Sequence, residues 1–142
     1  MKSTHQIWKV RDKNRLLLAI MNELAGDANI SFEGDSKILS LVALPGASQM
    51  ETSVLKRSTL WPQQDFVVVL LEPSIISQIF AKIGGTIPRS VLHIQIEKEG
   101  RLEFGAYDNF NPESMFFGSA IREAFLESLV SEGFLRKISE VV

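Results

Sequence analysis

Cysteine is absent from the 142 residues. That excludes disulfides, thiolate metal sites and cysteine nucleophiles together, and it fits a reducing compartment. No staple is required at this length, because a compact domain of this size buries roughly 68–70% of the surface its unfolded chain exposes. Long apolar runs are missing as well. FVVVLL at 66–71 is among the longest, far short of the roughly 20 residues that cross a bilayer as a helix. The opening stretch MKSTHQIWKVRDKNR has no apolar core of the signal-peptide kind, so the expected compartment is the cytoplasm, with no membrane partner.

Catalytic signatures are equally scarce. Gly84-Gly85 is an isolated pair that follows a helical stripe, whereas a phosphate cradle precedes its helix. No GxSxG is present, and the two histidines, His5 and His93, are far apart in the chain. A metal held by His93 with Glu103 or Asp108 would rest on one histidine. No cofactor is expected.

Charge of one sign is not in excess. The net charge is −2, which argues against nucleic acid as the main partner. The distribution is uneven, because residues 1–15 hold five cations against Asp12 and carry +4, leaving −6 for the rest. With Trp8 among them, these residues suit an arm that touches phosphates. A solvated lead into a helix explains them more simply, and residues 1–11 are expected to be a loosely ordered basic segment.

What is there reads as one α+β domain: a mainly antiparallel sheet of four to five strands with three main helices packed on it. Asp12 caps a helix over 13–25, with Leu17, Ile20, Met21 and Leu24 on one face. NISFEG alternates as a strand does. KILSLVAL fits a strand or a helical turn equally well. Pro45-Gly46 suits a type II turn. Ser48 and Glu51 have capping-box spacing, which favours a short helix to about Arg57 with Met50 and Val54 turned inward; the β-branched residues of the same stretch pull towards a strand. FVVVLL is the strongest strand, expected to be covered on both faces or central. Pro73 opens a helix with Ile76, Ile79, Phe80 and Ile83 in a stripe, and a last helix fits 119–132 with Ile121, Phe125 and Leu129 spaced by four. Phe134, Leu135 and Ile138 are expected to dock back after it.

The stretch HIQIEKEGRLEFGAYDNF, 93–110, holds most of the candidate chemistry. A three-residue loop, Lys98-Glu99-Gly100, would pair Ile96 with Leu102, Ile94 with Phe104 and Leu92 with Ala106 on one face. The other face would pair Glu97 with Arg101, Gln95 with Glu103, His93 with Gly105 and Val91 with Tyr107. One face is then apolar, and the other, with Glu97 and Glu103, meets water. Gly105 weakens the strand and marks a close approach of some other group. Tyr107, Asp108 and Asn109 lead into a loop, a frequent place for function, and Asn111-Pro112-Glu113 reads as a cap opening a helical turn.

The sequence names no reaction. Its best reading is a non-enzymatic protein-binding domain, such as an adaptor, an inhibitor or an immunity-type neutraliser. The candidate surface is the outward hairpin face and the loop after it: His93, Gln95, Glu103, Tyr107, Asp108 and Asn109. Tyrosine supplies interface area with a hydrogen bond at small entropic cost. The alternative is a small-ligand domain or hydrolase-like enzyme. Its pocket would be formed around His93 and Asp108 by the hairpin face, the 107–113 loop and the 45–62 segment. A third possibility is a homodimer joined through a sheet edge formed by the second hairpin strand.

Overall fold

Capped helical stripes and alternating strands combine into an α+β architecture in the computed structural model, which describes residues 4–141. The elements are β1 (Thr4–Val10), α1 (Lys13–Leu24), β2 (Ala28–Gly34), a 3₁₀ helix (Ser36–Ala43) and β3 (Asp65–Leu70). There follow α2 (Ile76–Lys82), β4 (Val91–Lys98), β5 (Arg101–Ala106), a 3₁₀ turn (Pro112–Ser114), β6 (Met115–Phe117), α3 (Glu123–Ser131) and β7 (Leu135–Val141). The main sheet is antiparallel throughout, in the order β3-β2-β4-β5-β6, and β1 pairs with β7 in a second, two-stranded sheet. Residues 4–10 are therefore a strand rather than a loose arm; Lys2 lies outside the described residues. Among the described residues no helix is long and apolar enough to cross a membrane.

α1 forms as its pattern requires. The Asp12 carboxylate accepts the Arg15 backbone N–H at 3.0 Å, and Leu16, Leu17, Ile20, Met21 and Leu24 are buried. At its other end Lys98 reaches across from β4, its ammonium donating to the carbonyls of Leu24 and Gly26 at 3.0 and 2.6 Å. A cation there satisfies carbonyls that have no partner within the helix. The helices cover one face of the sheet, where Ile30, Phe32, Val67, Val69, Ile94 and Phe104 join them in the main core. α2 begins at Ile76, three residues past Pro73, and α3 at Glu123 rather than 119. After α3, Leu135 is buried but Ile138 is exposed, because it sits in the outer two-stranded sheet.

The segment between the first 3₁₀ helix and β3 departs furthest from expectation. KILSLVAL is helical, of the 3₁₀ kind, and the Pro45-Gly46 turn forms with Gly46 at φ +73°. No helix follows, and Met50 is exposed. Local side-chain bonds take the place of the helical ladder. Ser48 Oγ accepts from Met50 N–H, Thr52 Oγ1 accepts from Val54 and Leu55 N–H, and the Glu51 carboxylate accepts from Arg57 N–H. Hydroxyls and carboxylates that bond nearby backbone in this way compete with helix formation. Residues 44–64 instead run as a strap. It bridges the outer edge of β3 through Ser48 and Val68, then crosses the second face of the sheet. Leu55 is fully buried there against Phe66 and Val68, a small second core.

The hairpin of β4 and β5 also differs in register. Its turn is the two-residue Glu99-Gly100, with φ of +52° and +80°. That is the left-handed pair a tight hairpin turn demands, and glycine takes it without strain. Glu97 faces Leu102, and a bulge then brings Ile96 opposite Phe104 and Ile94 opposite Ala106. The extra residue at the bulge is Glu103. It lets a two-residue turn coexist with an apolar ladder, which a straight strand would forbid.

Candidate functional site

The second face of the main sheet is not wet. Ser31, Glu33, His93, Gln95, Glu97 and Glu103 are all buried, which overturns the expectation that the hairpin's polar face meets water. For Glu33, His93 and Gln95 the strap explains why. A segment without regular structure carries backbone groups that need partners, and the sheet's polar side chains supply them. The Glu33 carboxylate accepts from Ser58 and Thr59 N–H at 2.7 and 3.1 Å, and Gln95 Nε2 donates to the Lys56 carbonyl at 2.6 Å.

His93 is closed in from both sides. Its Nδ1 accepts the backbone N–H of Asp108 at 3.2 Å, so the ring proton sits on Nε2, which donates to Thr59 Oγ1 at 2.7 Å. Asp108 thus meets His93 through its backbone, not as a carboxylate orienting a base. Gln95 Oε1 accepts from the Tyr107 hydroxyl at 3.4 Å, and the Tyr107 ring stands 5.8 Å from that of His93. Burial pushes the Tyr107 phenol above the ordinary tyrosine value. The group that closes on Gly105 is this same ring: a Cβ there would fall 2.5 Å from it.

Beyond Tyr107 the chain makes one left-handed turn. Asp108, Asn109 and Phe110 have φ of +50°, +55° and +61°, and Asn111 N–H donates to the Tyr107 carbonyl at 3.0 Å. Side chains other than glycine resist this conformation. Here it is held by Asn109, which donates to the Arg89 and Val91 carbonyls and accepts from the Lys13 ammonium, and by the buried ring of Phe110. Asn111 caps the following 3₁₀ turn as expected, its side chain accepting from Glu113 N–H. Glu103 turns elsewhere, accepting from Ala120 N–H at 3.1 Å beside Gly118.

The six candidate residues therefore lie in two places, and most of them fasten the fold. The hairpin face, the 107–111 turn and the strap do converge, but they pack on one another. Only Asp108 among the six is exposed, with Tyr107 and Asn109 half-buried.

An open site lies instead past β6. A groove of about 810 Å³ runs between β6 and α3, floored by Trp8, Ile121 and Leu126. Met115, Phe116 and Phe117 all border it. Met115 and Phe117, on one side of the strand, also pack against the main core, whereas Phe116 is exposed. Among the described residues β6 pairs only with β5 and ends the sheet. The helical wall comes from Glu123, Leu126, Glu127, Val130 and Ser131, the i, i+3, i+4, i+7, i+8 stripe of one helix face. Phe116 and Val130 are exposed large apolar side chains. The rim is acidic along α3, at Glu123 and Glu127, while Lys137 stands 5.9 Å over the Trp8 ring, which also meets Phe117 edge-on at 5.8 Å.

No protein-family model, no curated protein and no solved structure matches this chain. The groove is read on its own chemistry. Sequence reasoning missed it because it gathers both ends of the chain. The signals present were MFF at 115–117 and the apolar residues Leu126 and Val130, which fall off the stripe that Ile121, Phe125 and Leu129 define.

Proposed function

We propose that the chain is a small, non-enzymatic protein-binding domain whose site is the groove between β6 and α3. A partner's extended segment lies along β6 as an added strand and sinks alternate apolar side chains into the groove. The observation that carries this reading is the coincidence of a terminal strand, paired on one side only among the described residues, with a groove that joins apolar side chains to a charged rim and is walled by a helix. Main-chain bonds to such an edge supply affinity, and pockets for alternate side chains supply selectivity. Glu123 and Glu127 favour a segment with lysine or arginine beside its apolar anchors. An adaptor, an inhibitor or a neutraliser would each use such a site, and the compartment we propose is the cytoplasm. The sheet-edge contact that the sequence suggested for the second hairpin strand moves to β6, because β5 is paired on both sides.

Selection from a random peptide library against the immobilised protein tests this. Selected peptides are expected to carry large apolar residues at alternating positions with a basic residue nearby. Their binding is followed by Trp8 fluorescence in a Trp61→Phe background, which leaves Trp8 as the sole tryptophan. Phe116→Glu is expected to abolish binding and Asp108→Ala to leave it unchanged. If the peptides bind the Phe116→Glu protein as they bind the unaltered chain, the groove is not the site.

A further inference from the structure

β5 and β6 form a hairpin, and residues 107–114 are its connection. The pairing is short: Phe104 faces Phe117, Gly105 faces Phe116 and Ala106 faces Met115. In a hairpin the connection sets the register, so whatever holds 107–114 also seats β6. Asp108, Asn109 and Phe110 hold positive φ in succession, a conformation that such residues leave unless they are tied down. Asn109 is tied by its side chain and by its N–H, which donates to the Leu92 carbonyl at 2.8 Å, and Phe110 is buried. Asp108 is exposed, and among the described residues its N–H has one partner, Nδ1 of the buried His93.

We infer that His93 is a pH-operated latch: a proton taken up on its ring releases Asp108, loosens the 107–114 connection and unseats β6. In the neutral ring Nε2 carries the hydrogen and faces Thr59 Oγ1, which leaves Nδ1 as the basic nitrogen. A proton from water adds there, and the new N–H then faces the Asp108 N–H from 3.2 Å. Two donors cannot share that contact, and Asp108, being exposed, turns its N–H to water. The Thr59 bond survives, because Nε2 still donates. The strap therefore stays while the connection moves. Charges around the ring allow the proton. Glu33 lies directly opposite His93 in the β2–β4 register, its carboxylate on Ser58 and Thr59, and a nearby carboxylate favours the imidazolium. From the end of β5 the Tyr107 ring stands 5.8 Å away, its phenol kept neutral by burial. The Asp108 carboxylate makes no bond to the ring, and Lys13 is engaged by Asn109. On the strap Lys56 is exposed and Arg57 lies over the Phe66 ring. Because β6 borders the groove, the latch also regulates that site, a step that rests on the groove reading above.

Nitrogen NMR of the full chain reads the ring and the backbone together. From about pH 8 down to about pH 5, the span in which histidine changes charge, the His93 ring is expected to gain its second proton. Over the same interval the exchange protection of Asp108 and of the β6 amides is expected to fall at least roughly fivefold, the weight of one hydrogen bond. Ser58, Thr59 and the β2 amides are expected to keep theirs. His93→Gln should hold protection constant across the range. Should that variant not fold, the coincidence of ring titration and amide protection in the unaltered chain decides by itself. A ring that stays neutral throughout overturns the proposal. So does a ring that titrates while Asp108 and β6 keep their protection, or gain it as the Asp108 carboxylate takes the new N–H. For the groove, a library-selected peptide should bind more weakly at the acid end in the unaltered chain, and equally at both ends in His93→Gln. If β6 loosens and the peptide binds equally at both ends, the regulatory step fails. If no peptide binds at either end, the groove reading fails and the latch stands.

Discussion

The hydroxyl of Thr59 and the Nε2 of His93 lie 2.7 Å apart across the interface between the strap and the sheet. The bond joins two buried or half-buried groups from segments 34 residues apart. Thr59→Val keeps the side chain's shape and leaves the His93 N–H without an acceptor. The expected cost is about 1–3 kcal/mol in denaturant unfolding, the penalty of a buried unpaired donor. Nitrogen NMR of the imidazole is expected to show the proton on Nε2 and a bare Nδ1; the opposite tautomer would contradict the contact with Asp108.

Glu33 fixes the same strap more firmly, because its carboxylate takes two backbone N–H groups. Glu33→Ala is expected to cost about 2–3 kcal/mol. It should also expose the chain to trypsin at Lys56 and Arg57 under conditions where the unaltered protein resists cleavage. Equal resistance in both proteins would show that the strap is held by other means.

Tyr107 is the only tyrosine in the chain, so the phenolate absorbance reports it alone. Burial raises its pKa above 10.0, and the phenol of the folded protein should ionise only above the value seen after unfolding. Below the unfolded value both states hold the proton and nothing is lost. As pH rises through 10.0 the unfolded chain ionises first, so folding stability falls until the folded value is passed. Tyr107→Phe is expected to remove that part of the alkaline loss.

Lys98 closes the end of α1 from a neighbouring strand. Lys98→Met retains an apolar stem and deletes the ammonium, with an expected loss of about 1–2 kcal/mol. Amide exchange in the last turn of α1 should quicken by more than it does in β2. A uniform change across both would argue for a general loss of packing instead.

What the chain disclosed on its own followed the range of the interactions concerned. α1 was readable because Asp12 and the apolar stripe act within a few residues, FVVVLL because a short unbroken apolar run is a local signal, and the hairpin because alternation is local. The strap was not, since Glu33 meets Ser58 across 25 positions and His93 meets Thr59 across 34, and such bonds leave no periodic trace. A polar strand face covered by irregular backbone carries the same alternation as one covered by water, so His93, Gln95 and Glu103 read as exposed. The hairpin register failed for a related reason: the bulge at Glu103 is stabilised by Ala120, which no test of loop length includes. β6 is three residues long and β7 is rich in charge, so neither announced a strand, and with them went the groove.

Where a partner segment lands decides between the groove and the hairpin loop. Backbone amide shifts measured by NMR while a library-selected peptide is added give the most direct answer. The expected changes centre on Met115–Phe117 and on the Glu123–Ser131 helix, with the β6 amides also gaining protection from exchange. Changes centred on Tyr107–Asn109 instead, with β6 and α3 unmoved, would contradict the groove reading.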